Sequence, residues 1–334
     1  MHQVGVVGYG YWGPNIVRNF HGLSQVRVKR ICDRDADARR RARARHPDIQ
    51  VSDNPDAIFE DADIDVVAVV TPVSTHFGLA KLALESGKHV FVEKPLAQTV
   101  PEADELIALA AKHHRVGAVD HTFLFTSAVR KIKSIVASGE IGEITYFDSV
   151  RVNLGLFQHD VDVIWDLVPH DLSILFYLTR GRPAAVTASG VSHTKARLAD
   201  VAYVTLHYPD AMIAHFHVNW LSPVKVRKIL IGGTKKMIVY DDMESSEKVK
   251  VYEKGITLTG PEDIRRLLVQ YRSGDMLAPS LSPTEALRLE IQQFMEQVET
   301  GSPHSVNGFS QGREVVEILA AASSALGKEE RIRL

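Results

Sequence analysis

The sequence contains only one cysteine, Cys32, among 334 residues. A single thiol cannot form an internal disulfide or a cysteine-based zinc site, so we expect the protein to reside in the reducing cytoplasm. No apolar run is long enough to cross a bilayer, and we expect no signal peptide because a charged region followed by an apolar one is missing. The formal net charge of −2 gives no overall positive field to attract nucleic acid.

The length and the order of apolar segments predict two domains. Over residues 1–121, strand-like and helix-like segments alternate, which predicts an α/β Rossmann domain with a parallel, doubly wound sheet. The near-continuous apolar run at residues 63–72 is typical of a strand that is buried on both faces. Residues 122–334 contain consecutive strand-like runs and two final helices, which predict an α+β domain with a large, mostly antiparallel open sheet.

Three glycines, Gly8, Gly10 and Gly13, follow the first predicted strand at the spacing G-x-G-x-x-G. This spacing alone is weak evidence, but here a strand precedes it, a helix follows it, and Asp33 ends the second strand. In a dinucleotide-binding domain, an acidic residue at that distance binds the adenosine ribose hydroxyls. A carboxylate at this position repels a 2′-phosphate, so we predict NAD rather than NADP, while the neighbouring Arg34 keeps NADP open as an alternative.

The same loop contains large aromatic residues where small ones might be expected. Phosphate is held by backbone N–H groups at the start of a helix, so only the glycines must be small. We therefore expect Tyr11 and Trp12 to form a wall beside the pyrophosphate, where the indole N–H can donate a hydrogen bond. Simple packing against the second domain is an equal alternative.

Two further motifs carry side chains suited to acid–base chemistry. Glu93-Lys94-Pro95 ends a predicted strand at the ligand edge of the sheet, although a surface lysine would also fit this position. Asp166 and His170 are four residues apart, which on a helix places both side chains on one face. A capping aspartate and a structural histidine are the alternative interpretation of this pair.

These motifs, together with Thr71-Pro72 and His76, occur in an order that resembles the glucose–fructose oxidoreductase/inositol dehydrogenase (Gfo/Idh/MocA) family. The resemblance implies a Rossmann domain followed by a mostly antiparallel sheet, and NAD(P)-dependent oxidation or reduction of a sugar or cyclitol hydroxyl. It implies that Lys94 binds the reacting oxygen and the nicotinamide ribose, that His170 is the general acid/base, and that Asp166 orients the substrate. The residues expected to contact the cofactor are Gly8, Gly10, Tyr11, Trp12, Gly13, Asp33, Arg34, Thr71, Pro72, His76, Glu93 and Lys94.

The aromatic-rich glycine loop also resembles a subgroup of the family that acts on nucleotide sugars in amino-sugar biosynthesis, with oxidation at C3 of a UDP-hexosamine as the implied reaction. On this interpretation Arg151, Asn153 and His121 join Lys94, Asp166 and His170 as substrate contacts. Arg151 and Asn153 could equally form the polar face of a strand, and His121 could equally be packed at the domain junction. An inositol or free-sugar dehydrogenase and a non-catalytic nicotinamide sensor are the alternatives.

His215 and His217 alternate along a predicted strand, so they share one face of the sheet. Two histidines with this spacing could bind a metal, but no nearby cysteine or carboxylate completes a ligand set. We therefore expect no metal, and we interpret the pair as part of a sheet face in a subunit contact. A large open sheet must cover its apolar side, which leads us to expect a homodimer or homotetramer formed through this sheet.

Overall fold

The computed structural model describes residues 1–155, 160–179, 181–194, 198–253, 255–257, 270–272, 274–302, 305–326 and 332–333. The chain divides into two compact units, of which the first contains Met1–Thr126 and Thr284–Ala320 and the second contains Ser127–Pro283 and Ala321–Leu334. The α-helices of the described residues are α1 (Gly13–His21), α2 (Ala36–Arg45), α3 (Asp56–Phe59), α4 (His76–Glu85), α5 (Val100–Lys112), α6 (Ser127–Ala137), α7 (Val163–Leu178), α8 (Ala286–Thr300) and α9 (Phe309–Ala325).

The first unit is built on a six-stranded sheet in which every pairing is parallel. Its strands are β1 (His2–Val7), β2 (Val26–Cys32), β3 (Gln50–Ser52), β4 (Val66–Val69), β5 (His89–Glu93) and β6 (Gly117–Asp120). They lie in the order β3-β2-β1-β4-β5-β6, so the direction of winding reverses between β1 and β4. Ligands of such sheets bind beyond the carboxyl ends of the strands at this reversal.

Local sequence signals explain how these elements begin and end. Every residue of β4 is buried, as the apolar run at 63–72 predicts. Helix α5 begins at a capping box, in which the Thr99 hydroxyl accepts from the Glu102 N–H while the Glu102 carboxylate accepts from the Thr99 N–H. Gly87, two residues beyond the end of α4, has a φ of +72°, a left-handed conformation that glycine adopts without steric cost.

Helix α8 belongs to the core of the first unit. Phe294 on this helix lies 5.5 Å, between ring centroids, from Phe91 of β5, and Phe20 of α1 packs edge-on against both rings. The predicted division at residue 121 put this helix in the second domain, whereas the compact units assign residues 284–320 to the first. The difference arises because α8 buries its apolar face against elements that precede it by more than 160 residues, which local spacing does not reveal.

The second unit contains the large sheet that the sequence predicts, with the order β16-β13-β12-β11-β7-β10-β9-β8-β17. Its strands are β7 (Ile144–Leu154), β8 (Ala185–Val191), β9 (Val201–His207), β10 (Ile213–Asn219), β11 (Leu221–Gly233), β12 (Met237–Asp241), β13 (Val249–Tyr252), β16 (Met276–Leu277) and β17 (Ile332–Arg333). Only the β10–β7 pair is parallel among these described strands. Strands β14 (Gly255–Thr257) and β15 (Gln270–Arg272) form a separate antiparallel pair. The predicted fold class is confirmed.

Helix α7 packs on one face of this sheet against β7, β9 and β10. Ten of its sixteen residues are buried, including Ile164, Leu172 and Leu175, so the helix is fixed by burial of apolar surface. Asp162 caps the helix start, because its carboxylate accepts from the N–H groups of two residues in the first turn. In the described part of the chain, no helix is both long and apolar enough to span a bilayer.

Candidate functional site

The glycine loop has the geometry of a phosphate cradle. Gly8 has a φ of +104°, and a Cβ at this position would lie 2.1 Å from the carbonyl oxygen of Val70. A Cβ at Gly13 would lie 2.6 Å from the Gly8 carbonyl oxygen, whereas one at Gly10 would meet no atom within 4 Å. Gly8 and Gly13 are therefore required by the fold, while Gly10 leaves open space beside the start of α1, where a pyrophosphate can approach the backbone.

Asp33 lies directly after β2 and is tied to this loop. Its Oδ2 accepts a hydrogen bond from the backbone N–H of Tyr9 at 2.6 Å, and its Oδ1 accepts from the N–H of Asp35 at 2.8 Å. Arg39 on α2 donates to the carbonyl oxygens of Asp33 and Arg34, which stabilises the turn between β2 and α2. A carboxylate fixed here suits the diol of an adenosine ribose and opposes a 2′-phosphate, while Arg34 itself is exposed.

The three aromatic residues of the loop have three different environments. Tyr9 is 1% exposed and belongs to the core, whereas Tyr11 is 84% exposed. The half-buried Trp12 packs against the core and donates a hydrogen bond from Nε1 to Asp120 Oδ2 at 2.7 Å. The core that Trp12 packs against belongs to the first unit, so the alternative of packing against the second domain is not supported, and the wall beside the pyrophosphate stays a prediction.

His76 joins the loops that follow β4 and β5. Its Nδ1 lies 2.8 Å from the carbonyl oxygen of Pro95, and its Nε2 lies 2.7 Å from that of Thr71. Both partners are acceptors, so a neutral imidazole satisfies only one of them and a doubly protonated ring satisfies both. The Thr71 hydroxyl also accepts from Thr75 at 2.7 Å, which closes the turn at Thr71-Pro72. His76 is therefore a positioning residue for the loop that contains Lys94.

The ends of β5 and β6 bring four polar residues to one edge of the sheet. Glu93 pairs in register with Asp120, so Lys94 and His121 follow at neighbouring strand ends. The Glu93 carboxylate accepts a hydrogen bond from the backbone N–H of Lys94. His121 is buried, and burial together with the Lys94 charge lowers the pKa of its imidazole to about 3. Neither His121 ring nitrogen has a hydrogen-bond partner among the described residues.

A buried carboxyl pair, Asp120 and Glu290, lies behind this edge. Asp120 is 3% exposed and Glu290 on α8 is fully buried. Burial raises the pKa of Asp120, while hydrogen bonds from Trp12, Glu290 and the Thr122 backbone, and the Lys94 charge, act to lower it. Burial, reinforced by the neighbouring Asp120, holds the pKa of Glu290 well above its usual range. The sequence prediction did not include this pair.

Two sequence signals could have identified the pair. Asp120 ends an apolar strand at the ligand edge, immediately before His121, where polar residues carry function more often than packing. Glu290 interrupts the apolar stripe formed by Leu287, Ile291 and Phe294, so a charged group is placed on the buried face of an amphipathic helix. A carboxylate on such a face requires a partner.

In the second unit, α7 carries Asp166 and His170 one turn apart, as the spacing predicts. Asp166 Oδ2 accepts a hydrogen bond from Nε1 of the buried Trp220 at 2.9 Å, which fixes the direction of the carboxylate. His170 is partly buried, and its carbonyl oxygen accepts from the Ser173 hydroxyl at 2.8 Å. Pro169 lies between them and has no N–H to donate within the helix.

Arg151 is held within the second unit by a fork-shaped ion pair with Asp171. Nε lies 2.9 Å from Asp171 Oδ2, and Nη2 lies 2.5 Å from Oδ1, and both side chains are buried. Since Asp171 follows His170 on α7, this pair fastens the helix that carries His170 to strand β7. A role of Arg151 in substrate binding stays a prediction, as does that of Asn153, which is partly buried two residues further along β7.

His215 and His217 share one face of the sheet, as their alternation predicts. The His217 ring stacks on Tyr203 with centroids 4.6 Å apart, and His215 Nδ1 lies 3.0 Å from the hydroxyl oxygen of Thr205. Across the described residues, no group of three or more histidine, cysteine or acidic side chains is arranged to hold a metal ion. The subunit contact predicted for this face stays a prediction.

Comparison with known protein families identifies the family of this chain. A profile described as the oxidoreductase family with an NAD-binding Rossmann fold matches residues 2–121, and one for the GFO/IDH/MocA C-terminal domain matches residues 129–239. The chain belongs to the GFO/IDH/MocA oxidoreductase family. As a member, it is an NAD-dependent oxidoreductase, and the prediction from the sequence motifs is confirmed at this level.

Two relatives match nearly the whole chain. The UDP-N-acetylglucosamine 3-dehydrogenase of Acidithiobacillus ferrooxidans is 28% identical over 330 residues, covering 96% of this chain and 95% of that protein. The myo-inositol 2-dehydrogenase of Thermotoga maritima is 23% identical over 343 residues, covering 99% of this chain and 98% of that protein. The substrates in these names differ, so family membership does not by itself define the substrate of this chain.

Solved structures agree with the fold of this family member. The UDP-N-acetylglucosamine 3-dehydrogenase GnnA from Acidithiobacillus ferrooxidans matches with a TM-score of 0.81 at 24% identity, over 98% of each chain. GenD2 from gentamicin A biosynthesis, solved in complex with NAD, matches with a TM-score of 0.83 at 21% identity, over 100% of this chain and 96% of that chain. The residues of the glycine loop fit NAD, because Gly10 leaves open space at a helix start and the Asp33 carboxylate is held beside the loop by the Tyr9 N–H.

Proposed function

We propose that this oxidoreductase removes hydride from a sugar hydroxyl, and that its substrate is a UDP-hexosamine oxidised at C3. The observation that carries the proposal is the combination of the glycine loop and Asp33 with Lys94, Asp166 and His170, which also match the motifs of the resemblance in residue type and order. The near full-length similarity to a UDP-N-acetylglucosamine 3-dehydrogenase supports the choice of substrate.

Each proposed role follows from the chemistry of the side chain. Histidine titrates near neutral pH, so His170 can accept the proton of the alcohol as its C–H bond breaks. The Lys94 ammonium stabilises the negative charge that develops on the reacting oxygen. Asp166, aimed by Trp220, accepts a hydrogen bond from the substrate and orients it. When bound, NAD supplies the hydride acceptor.

Contacts on both sides of Lys94 hold its backbone in a defined position. Its backbone N–H is bound by Glu93, and His76 fixes the carbonyl of the following proline. The neutral state of His121 leaves an uncharged imidazole beside Lys94, with two ring nitrogens that have no protein partner in the described structure. We assign these nitrogens to a polar group of the bound ligands, either the nicotinamide carboxamide or a sugar hydroxyl.

The proposal is tested by mixing the purified protein with NAD⁺ and UDP-N-acetylglucosamine and following NADH absorbance. We expect turnover with UDP-hexosamines and little with myo-inositol or free hexoses. Turnover confined to myo-inositol, the substrate in the name of the Thermotoga relative, would replace the substrate while keeping the chemistry.

A non-catalytic sensor would bind NAD and turn over none of these compounds. NAD binding by the parent protein distinguishes this outcome from an inactive preparation. In an enzyme, Lys94→Ala loses the turnover of the parent, whereas in a sensor the parent has no turnover to lose. Analytical ultracentrifugation of the same sample tests the expected homodimer or homotetramer.

A further inference from the structure

The buried pair Asp120–Glu290 lies between the cofactor loop and α8, and the proposed mechanism does not use it. Trp12 of the loop donates to Asp120 Oδ2 at 2.7 Å. The Glu290 carboxyl adjoins Asp120, and each group acts on the pKa of the other. Asn307 donates from Nδ2 both to Glu290 Oε1 and to the carbonyl oxygen of Val119, each at 2.9 Å. The chain of contacts thus runs from the loop to α8 through buried groups.

The hydrogen-bond donors and acceptors in this series of contacts do not balance when both the Asp120 and the Glu290 carboxyls are ionised. Two carboxylates contain only acceptor oxygens, so they cannot bond to each other without a proton. Glu290 Oε2 has no donor among the described residues, whereas its Oε1 accepts from Asn307. A proton on Oε2 removes this deficit, because it can be donated to Asp120.

The surroundings indicate which residue carries the charge. Asp120 accepts from the Trp12 indole, and the Thr122 backbone and the positive charge of Lys94 act to lower its pKa. Glu290 is fully buried, and its Oε1 accepts from the Asn307 side-chain amide. Negative charge is therefore better stabilised on Asp120, and the proton is better placed on Glu290.

We propose that Asp120 and Glu290 share one proton and together form a positioning element that holds Trp12, and with it the start of α1, in the conformation that binds NAD. Protonated Glu290 donates to Asp120, which in turn keeps a full negative charge for the indole N–H. A charged acceptor makes a stronger hydrogen bond than a neutral one. The inference rests on the cofactor half of the proposed function and is independent of the sugar substrate.

Glu290→Gln and Glu290→Met are the matched variants that test the proposal. Glutamine reproduces protonated glutamate, because its carbonyl oxygen accepts from Asn307 and its N–H₂ group donates to Asp120. Methionine keeps a similar volume but can make neither bond. We expect the Gln variant to bind NAD within about twofold of the parent and the Met variant to bind about tenfold more weakly, as expected for a displaced charge-assisted hydrogen bond.

A spectroscopic readout separates positioning from general loss of stability. The chain has three tryptophans, and Trp12→Phe assigns the indole N–H signal of Trp12 in a ¹H–¹⁵N spectrum. We expect this signal to lie downfield in the parent and in the Gln variant, and to move upfield in the Met variant. Asp120→Asn, which supplies a neutral acceptor, should also move it upfield even if the Met variant fails to fold.

Two results would overturn the proposal. If Glu290→Gln weakens NAD binding as much as Glu290→Met, Glu290 is ionised and no proton is shared. If neither the Met nor the Asn variant moves the Trp12 signal, the pair does not hold the indole. Both measurements use only the protein and NAD, so absence of turnover with UDP-hexosamines would contradict the proposed function without affecting this inference.

Discussion

Each unit contains one tryptophan whose indole N–H binds an aspartate, and the two pairs differ in what surrounds the carboxylate. In the first unit, Trp12 donates to Asp120 at 2.7 Å, and a second carboxyl, that of Glu290, adjoins Asp120. In the second unit, Trp220 donates to Asp166 at 2.9 Å. Here the aspartate is partly exposed and the tryptophan is buried, which is the reverse of the first pair.

The difference teaches how one hydrogen bond can serve two purposes. A buried aspartate that receives an indole N–H can hold the tryptophan, so the Trp12–Asp120 pair positions a loop. A partly exposed aspartate that receives the same bond is itself held, so the Trp220–Asp166 pair leaves a carboxylate oriented for a ligand. The first arrangement suits cofactor binding and the second suits substrate binding, and variants can test this separation.

The largest expected effect concerns the proposed acid/base. His170→Ala should lower kcat about 100- to 10,000-fold, which is the usual contribution of a proton-transfer group, and should leave the Kd for NAD unchanged. Ser173→Ala is the control, because it removes a neighbouring contact to the His170 carbonyl while keeping the ring. Steady-state kinetics and NAD titration measure both. Activity of His170→Ala within about tenfold of the parent would refute the assignment.

The next prediction compares alanine substitutions at two glycines of the cofactor loop. Gly10→Ala adds a methyl group where no atom lies within 4 Å, so the fold should keep its stability while NAD affinity falls about 10- to 100-fold. Gly8→Ala forces a Cβ to within 2.1 Å of a carbonyl oxygen at a positive φ, so it should destabilise the protein by about 3 kcal/mol or more. Thermal melts and NAD titration separate the two.

The glycine contrast would fail in either of two ways. Equal losses of stability in the two variants would show that Gly10 is also required by the fold. Normal NAD affinity in a folded Gly10→Ala protein would show that the pyrophosphate does not approach the backbone there.

Those parts of the fold that depend on local patterns were predictable from the sequence. Alternating strands and helices indicated the parallel sheet, and the spacing of Gly8, Gly10 and Asp33 indicated its cofactor. Consecutive strand-like runs indicated the antiparallel sheet of the second unit. In each case the signal lies within a segment, where periodicity and turn chemistry act directly.

Features that depend on distant contacts were not predictable in this way. Trp12 and Asp120 are 108 residues apart, so their hydrogen bond has no local signature. Helix α8 had a clear amphipathic pattern, but nothing in its sequence stated which sheet its apolar face would cover. The buried ion pair of Arg151 was not predictable for the same reason, because its partner Asp171 lies on a helix that follows the strand.

Removing only the indole N–H tests the two tryptophan pairs directly. Trp12→Phe leaves buried Asp120 without one donor, so it should cost about 1–3 kcal/mol of unfolding free energy and weaken NAD binding. Trp220→Phe leaves a partly exposed carboxylate that water can solvate, so the lost bond should cost less, and its main effect should be a lower kcat. Urea unfolding and kinetics of both variants give the comparison.

The tryptophan variants would contradict the comparison if their effects were exchanged. A kcat change confined to Trp12→Phe, or an NAD-binding change confined to Trp220→Phe, would show that the surroundings of the two carboxylates do not decide their roles.

The smallest expected effect is a pH dependence of the unfolding free energy, which arises from Glu290 in the first unit. A carboxyl whose folded pKa is raised contributes stability at low pH and loses it as pH rises from the unfolded value toward the folded one. The slope is at most about 1.4 kcal/mol per pH unit for one proton. His89 and His121, whose pKa values fall to about 4 and about 3, have the opposite sign but act only below their unfolded value of 6.5.

Urea unfolding of the parent and of Glu290→Gln from pH 4.5 upward isolates the contribution of Glu290, because both proteins contain the same histidines. As pH rises through this range, the parent should lose stability relative to Glu290→Gln, whose amide retains the donated bond without a titrating proton. Parallel curves for the two proteins would mean that Glu290 holds no proton there. A loss of stability in the parent relative to the variant would instead place the shared proton on Glu290.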